Sequence, residues 1–131
     1  MTAERPLVLD AGALIHLENV PNGRVHAICR EALELGRPIF LPAVVYAQVW
    51  RESPRQAPIA RLRKSCVTVS FDDDVSEAVG QILAVSGTGN VVDAAVVLTA
   101  ATNNAAVLTS DPADIGKLAE AMHAVVPLIA L

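Results

Sequence analysis

Aromatic side chains are scarce: one Trp, one Tyr and two Phe among 131 residues. With 53% hydrophobic and 18% charged residues, the core has to be built from Ala, Val, Leu and Ile, in a chain that is globular rather than disordered or fibrous. Cysteine is almost as rare. Cys29 and Cys66 stand 37 positions apart, with no CxxC or Cys/His spacing, which excludes a zinc ribbon or a stapled scaffold and leaves two buried thiols. No apolar stretch approaches the roughly 18 uncharged residues of a membrane-spanning helix. The N-terminus carries Glu4 and Arg5 ahead of its first short apolar run, so a cytoplasmic protein with no membrane contact is expected. There is no GxxxxGK[ST] phosphate loop. His16, His26 and His123 have no spacing that suggests a metal or nucleophilic site. Excess positive charge is missing as well: ten Lys and Arg against fourteen Asp and Glu give −4. This argues against nucleic-acid binding mainly through a basic surface.

The apolar residues that are present fall into short alternating units within one domain, 1–131. Pro6 to Asp10 reads as a strand ending in an acid, followed by a helix over Ala11–Leu17. Val25, Ile28, Cys29, Ala32 and Leu35 form a second helical stripe that stops at Gly36. Ile39–Leu41 is a strand, and Pro42 opens a helix that carries Gln48 and Glu52 one turn apart. Ile59, Leu62 and Cys66 mark another helix, and Val67–Phe71 another strand. A helix from Val75 to Val85 ends at the turn Ser86-Gly87-Thr88-Gly89. From Val91 to Ala101 nearly every residue is apolar, as in a helix buried almost all round. A strand over Ala106–Thr109, a helix over Asp111–Met122 and a strand over Val125–Leu131 complete the chain. Short apolar strands alternating with helices predict a parallel sheet covered on both faces.

In such sheets ligands bind outside the carboxyl ends of the strands. Asp10 closes the first strand and Asp111 lies two residues past the Ala106–Thr109 strand, so the two carboxylates converge if those strands are neighbours. Asp93 is a charge inside an otherwise apolar helix, and a buried carboxylate needs a cation or hydrogen-bond donors. Three carboxylates brought together call for a hard cation such as Mg2+ or Mn2+. Structural readings stand beside these: Asp10 and Asp111 as helix N-caps, and Asp93 as a first-turn acid favoured by the helix dipole.

The stretches Leu7-Val-Leu-Asp10-Ala-Gly-Ala-Leu14, Asp93-Ala-Ala-Val-Val-Leu-Thr-Ala-Ala101 and Leu108-Thr-Ser-Asp111-Pro-Ala-Asp114 resemble those of PIN-domain ribonucleases, in particular VapC-type toxins of bacterial toxin–antitoxin pairs. The 18-residue interval from Asp93 to Asp111 also looks like the family's. The resemblance implies an α/β fold, a PIN-like three-layer α/β/α sandwich with a short, mainly parallel sheet. It implies RNA phosphodiester hydrolysis, with Asp10, Asp93 and Asp111 as the catalytic residues and holding one or two Mg2+ or Mn2+ ions that activate water and stabilise the leaving oxygen. It implies a cognate antitoxin and a homodimer.

Two positions depart from the family pattern. Gln48 stands where a Glu is usual and Asn90 where a further acid is common, so two ligand charges are absent. Glu52, one turn beyond Gln48, is expected as compensation for the first. Asp114, three residues after Asp111, is an accessory candidate, and Thr109 and Ser110 are placed to orient a carboxylate or touch a phosphate. Arg51, Arg55, Arg61, Arg63 and Lys64 gather against the single acid Glu52 and are candidates for RNA phosphates. Trp50 is expected to pack within the fold or a dimer contact rather than to stack a base. A catalytically weakened PIN protein that binds RNA or protein is the alternative reading that Gln48 and Asn90 raise.

Overall fold

A computed structural model of the chain describes residues 5–131; Glu4 lies outside the described residues. Five short strands are formed, β1 (Leu7–Leu9), β2 (Ile39–Pro42), β3 (Val67–Val69), β4 (Ala106–Thr109) and β5 (Leu128–Ala130). The helices are α1 (Ala11–Asn19), α2 (Arg24–Glu34), α3 (Ala43–Val49), α4 (Ala57–Arg63), α5 (Asp73–Ser86), α6 (Val91–Asn103) and α7 (Pro112–Ala121). A 3-10 turn over Pro54–Gln56 leads into α4.

The strands pair in the order β3-β2-β1-β4-β5, every pair parallel, with Leu9 opposite Leu108 at the carboxyl end of β1. From β1 the chain crosses to β2 and β3 on one side, then returns to β4 and continues outward to β5. Right-handed crossovers therefore put α1 to α4 and α5 to α7 on opposite faces, the expected three layers. The direction of winding reverses between β1 and β4, and this switch point is where a crevice opens at the strand ends.

The two central strands are apolar and wholly buried because both faces are covered: Leu7, Val8 and Leu9 in β1, Val107 and Leu108 in β4. Leu14 and Leu17 of α1 and Val45 and Val49 of α3 close one side of this core. Val79, Val96, Val97, Ile115 and Leu118 close the other. The core is aliphatic, as the composition requires. No single helix among the described residues is long and apolar enough to cross a membrane.

Several boundaries differ from the sequence reading. β3 ends at Val69 rather than Phe71, and β5 spans three residues rather than seven, because edge strands have only one neighbour to pair with. α3 stops at Val49: Trp50 is already extended, with φ −67° and ψ 131°, and Glu52 adopts the left-handed φ of 57°. Gln48 and Glu52 are therefore not one turn apart on one helix, and the helical ground for Glu52 compensating Gln48 does not hold. α4 likewise ends at Arg63, short of Cys66.

Candidate active site

Asp10 leaves β1 and immediately caps α1, with φ −89° and ψ 178°, its Oδ1 accepting the N–H of Ala13 at 2.8 Å. An apolar strand followed by a strong N-cap residue makes this turn. Asp10 is only 4% exposed. Burial pushes its carboxyl above the ordinary carboxylate range. The Thr109 hydroxyl and the backbone N–H groups of Ala13 and Ser110 pull it back, and the charge of Asp111 pushes it up again.

Gly12 permits the approach of α1 to the loop after β4. A Cβ there would stand 1.8 Å from Ser110 Oγ, 2.7 Å from Ser110 Cβ and 3.3 Å from Asp10 Oδ1. The loop itself is held by Thr109, fully buried, whose Oγ1 accepts the N–H of Asp111 at 2.8 Å. Thr109 thus faces both acids. Gly12 is a packing residue that the sequence reading missed, although Asp-x-Gly directly after a strand was a usable signal.

Asp111 sits at the N-cap position of α7, but its exposed side chain makes no capping bond. The capping reading does not apply to it. Asp114 lies in the first turn of α7, hydrogen-bonded to Asp111. That bond and the Asp111 charge raise its carboxyl, against a smaller opposing pull from Lys117. Asp93 is the third residue of α6 and half-buried, so the helix is less uniformly buried than its sequence suggests. Burial raises its carboxyl first, then the charges of Asp111, Asp10 and Asp114. Four acids from β1, α6 and α7 therefore share one electrostatic environment at the switch point.

Asn90 has a structural task. Its Oδ1 caps α6 by accepting the N–H of Asp93 at 2.9 Å, and its own N–H donates to Thr88 Oγ1 at 3.3 Å. Gln48 is exposed on α3 and makes no side-chain hydrogen bond among the described residues. Ser110 is exposed beside Gly12.

The cations of the basic stretch serve separate neighbours. Arg51 donates to the carbonyls of Ala47 at 3.2 Å and Trp50 at 2.6 Å, closing α3, and Arg55 lies 3.8 Å from Glu18 of α1. Arg63 lies 4.3 Å over the ring of Tyr46, and Arg61 lines a groove between α1, α2 and α4. Lys64 is exposed. Trp50 stacks on Tyr46 with ring centres 5.2 Å apart and packs against the core, as expected. A buried polar residue also went unread. Gln56 joins the ends of α3 and α1, accepting the N–H of Arg51 and donating to Glu18 and to the Val49 carbonyl, each at 2.8 Å. Burial pushes the thiol of Cys29 up to about 12 and that of the half-buried Cys66 up to about 11, so neither is a reactive thiolate at neutral pH.

Two cavities flank these elements. One of about 230 Å³ is lined by Thr88, Asn90, Asp93, Asp114, Lys117 and Leu118. The other, about 480 Å³ and mainly apolar, is the groove that includes Leu17, Cys29, Leu33 and Leu62 and shares no lining residue with the first.

Among the described residues, no three carboxylate, imidazole or thiol side chains stand ready-made to hold a metal ion. The donor chemistry nonetheless fits one: carboxylate oxygens that raise one another's proton affinity gain most from a hard cation, and Mg2+ keeps several of its own waters instead of requiring a full protein cage.

The family model of the PIN domain matches residues 7–120. The chain belongs to the PIN domain family. Solved structures similar to this PIN domain include VapBC2 from Rickettsia felis bound to a DNA fragment from its promoter, at TM-score 0.70 and 14% identity, covering 95% of this chain and 98% of that one. VapBC from Salmonella typhimurium bound to DNA gives TM-score 0.66 and 16% identity, covering 96% and 98%. FitAB bound to the IR36 DNA fragment gives 0.63 and 19%, covering 95% and 94%. At these identities the likeness concerns the fold. No curated protein matches the sequence.

Proposed function

We propose that this PIN protein is a metal-dependent endoribonuclease, the toxin of a type II toxin–antitoxin pair, hydrolysing RNA phosphodiester bonds with Asp10, Asp93 and Asp111. The observation that carries this reading is the gathering of Asp10, Asp93 and Asp111 at the strand ends where the winding reverses, where burial first and then the Asp111 charge raise the carboxyls of Asp10 and Asp93. Acids that disfavour one another's charge in a half-buried crevice are poised for a cation. Mg2+ or Mn2+ bound there would polarise the scissile phosphate and lower the pKa of an attacking water. The chain's own part is to fix Asp10 through Ala13 and Thr109, to hold the Asp111 loop through Thr109, and to keep the α1 turn close through Gly12.

Three structural neighbours are complexes of the VapBC and FitAB kind, which supports a cognate antitoxin as partner; a homodimer in the cytoplasm completes the reading. The apolar groove between α1, α2 and α4 is a surface suited to a partner segment, and an antitoxin tail rich in Lys and Arg would meet the acids. The second reading, a PIN module that binds RNA or protein with weakened catalysis, is favoured by Asn90, whose oxygen is committed to capping α6.

Incubating total RNA with the wild-type chain and Mn2+ should give discrete fragments that disappear with Asp10→Ala and with chelator. Equal silence of wild type and mutant, with no heat of Mn2+ binding, would leave the weakened-module reading in its place.

A further inference from the structure

We propose that two copies of this chain join edge to edge through β3, antiparallel about a two-fold axis at Thr68. The inference deepens the homodimer of the proposed function by naming the face that forms it. It rests on that homodimer and not on the nuclease chemistry.

β3 is the outer strand on one side of the sheet and pairs only with β2. In a parallel ladder alternate residues carry the bonds to a given neighbour. Were Thr68, opposite Leu41, one of them, its C=O would need the N–H of residue 42, and Pro42 has none. Val67 and Val69 therefore bond to β2, and Thr68 turns its N–H and C=O outward, where no other backbone group among the described residues bonds to them.

A sheet edge left in this state is a template for another strand unless something blocks it. The opposite edge is blocked: Pro127 precedes β5, and Arg24 donates to the Ala130 carbonyl. β3 carries no such device. From Ser65 to Phe71 there is neither a charge nor a proline, and Val67 and Phe71 are 49% and 38% exposed.

Charge selects the second strand. Arg63 and Lys64 stand five and four residues before Thr68, and Asp72 and Asp73 four and five after it. All four are exposed, and none has an ion pair within 4.0 Å among the described residues. A second copy running antiparallel about Thr68 brings its basic end to the acidic end of the first, and symmetry makes the match twice. A parallel copy would set like charges side by side. In the antiparallel register Thr68 of one copy exchanges both backbone bonds with Thr68 of the other, and Val67 of each faces Val69 of the other.

The test is sedimentation velocity of the full chain over a range of concentrations, for wild type, Thr68→Pro, Lys64→Glu, Asp73→Lys and the double variant Lys64→Glu/Asp73→Lys. Thr68→Pro removes an N–H that points away from β2, so the ladder keeps its bonds, and matched thermal melts check each fold. Wild type should be a dimer and Thr68→Pro a monomer. Each single charge reversal should weaken association about tenfold, and the double variant should return to within about threefold of wild type, because opposite charges again meet across the axis. Should Thr68→Pro melt low, the charge exchange decides by itself. A double variant as weak as the two singles combined would overturn the antiparallel register. A wild-type dimer that all the variants leave unchanged would overturn the β3 face while the homodimer stands, and a wild-type chain that stays monomeric would overturn both.

Discussion

Substituting Gly12 by Ala tests the packing that brings the two strand-end acids together. The added Cβ would lie 1.8 Å from Ser110 Oγ and 2.7 Å from Ser110 Cβ. The hydroxyl can rotate away; the Ser110 Cβ cannot move without its backbone. Ordinary contact begins near 3.5 Å, so α1 and the loop after β4 must part by nearly 1 Å. Forcing an extra methyl into a packed contact costs about 1–3 kcal/mol. The same change in a helix with room for it gains about 0.5–1 kcal/mol, because Ala orders at lower entropic cost than Gly. Ser110→Gly removes both clashing atoms; the next nearest is Asp10 Oδ1, at 3.3 Å. Urea unfolding of the wild type, Gly12→Ala, Ser110→Gly and the double variant should thus show Gly12→Ala destabilising by about 2 kcal/mol alone and near neutral or stabilising when combined with Ser110→Gly. A coupling below about 0.5 kcal/mol would refute the close approach. The single variant Gly12→Ala should also lose Mn2+ affinity, since the shift separates Asp10 from the Asp111 loop.

Burial raises the Asp10 and Asp93 carboxyls, so the folded metal-free chain binds more protons than the unfolded chain above the ordinary carboxylate range. The stability contributed by these two groups then falls as pH rises through their elevated values, and urea midpoints without metal should be higher near pH 5 than near pH 8. Asp10→Asn should flatten that slope and stabilise the metal-free protein near pH 8 by on the order of 1 kcal/mol. Saturating Mn2+ at about 100 times its Kd should then add roughly 2.7 kcal/mol to wild type and much less to Asp10→Asn; equal gains in calorimetry would place the metal elsewhere. Thr109→Val keeps the buried shape but removes the acceptor for the Asp111 N–H and the hydroxyl facing Asp10, and should cost about 1–3 kcal/mol, where Thr109→Ser costs about 1. Gln48→Glu should raise Mn2+ affinity by about tenfold in titration calorimetry, and an unchanged affinity would set Gln48 outside the ligand set.

Much of this protein was legible in one dimension. Short apolar strands alternating with helical stripes specify a covered parallel sheet, since only such a sheet buries Leu7-Val-Leu9 and Ala106-Val-Leu108 on both faces. An Asp directly after such a strand is both a helix cap and a strand-end acid, so Asp10 declared itself. Asp111 and Asp93 were singled out by order and spacing, and the structure brings their charges within reach of each other and of Asp10. What sequence alone could not decide was adjacency. That β1 lies beside β4 is a property of the winding, and only that neighbourhood turns two distant acids into one electrostatic unit. Local patterns also continue too readily through a helix end: the Gln48–Glu52 spacing looked helical, but Arg51 closes α3 and the buried amide of Gln56 draws the chain into another direction. Gly12 owes its role to a residue brought near by folding, Ser110 across the switch point, whereas Asn90 caps the helix that follows it directly in sequence. Periodicity records which faces are buried; which side chains meet across those faces is settled by the tertiary packing.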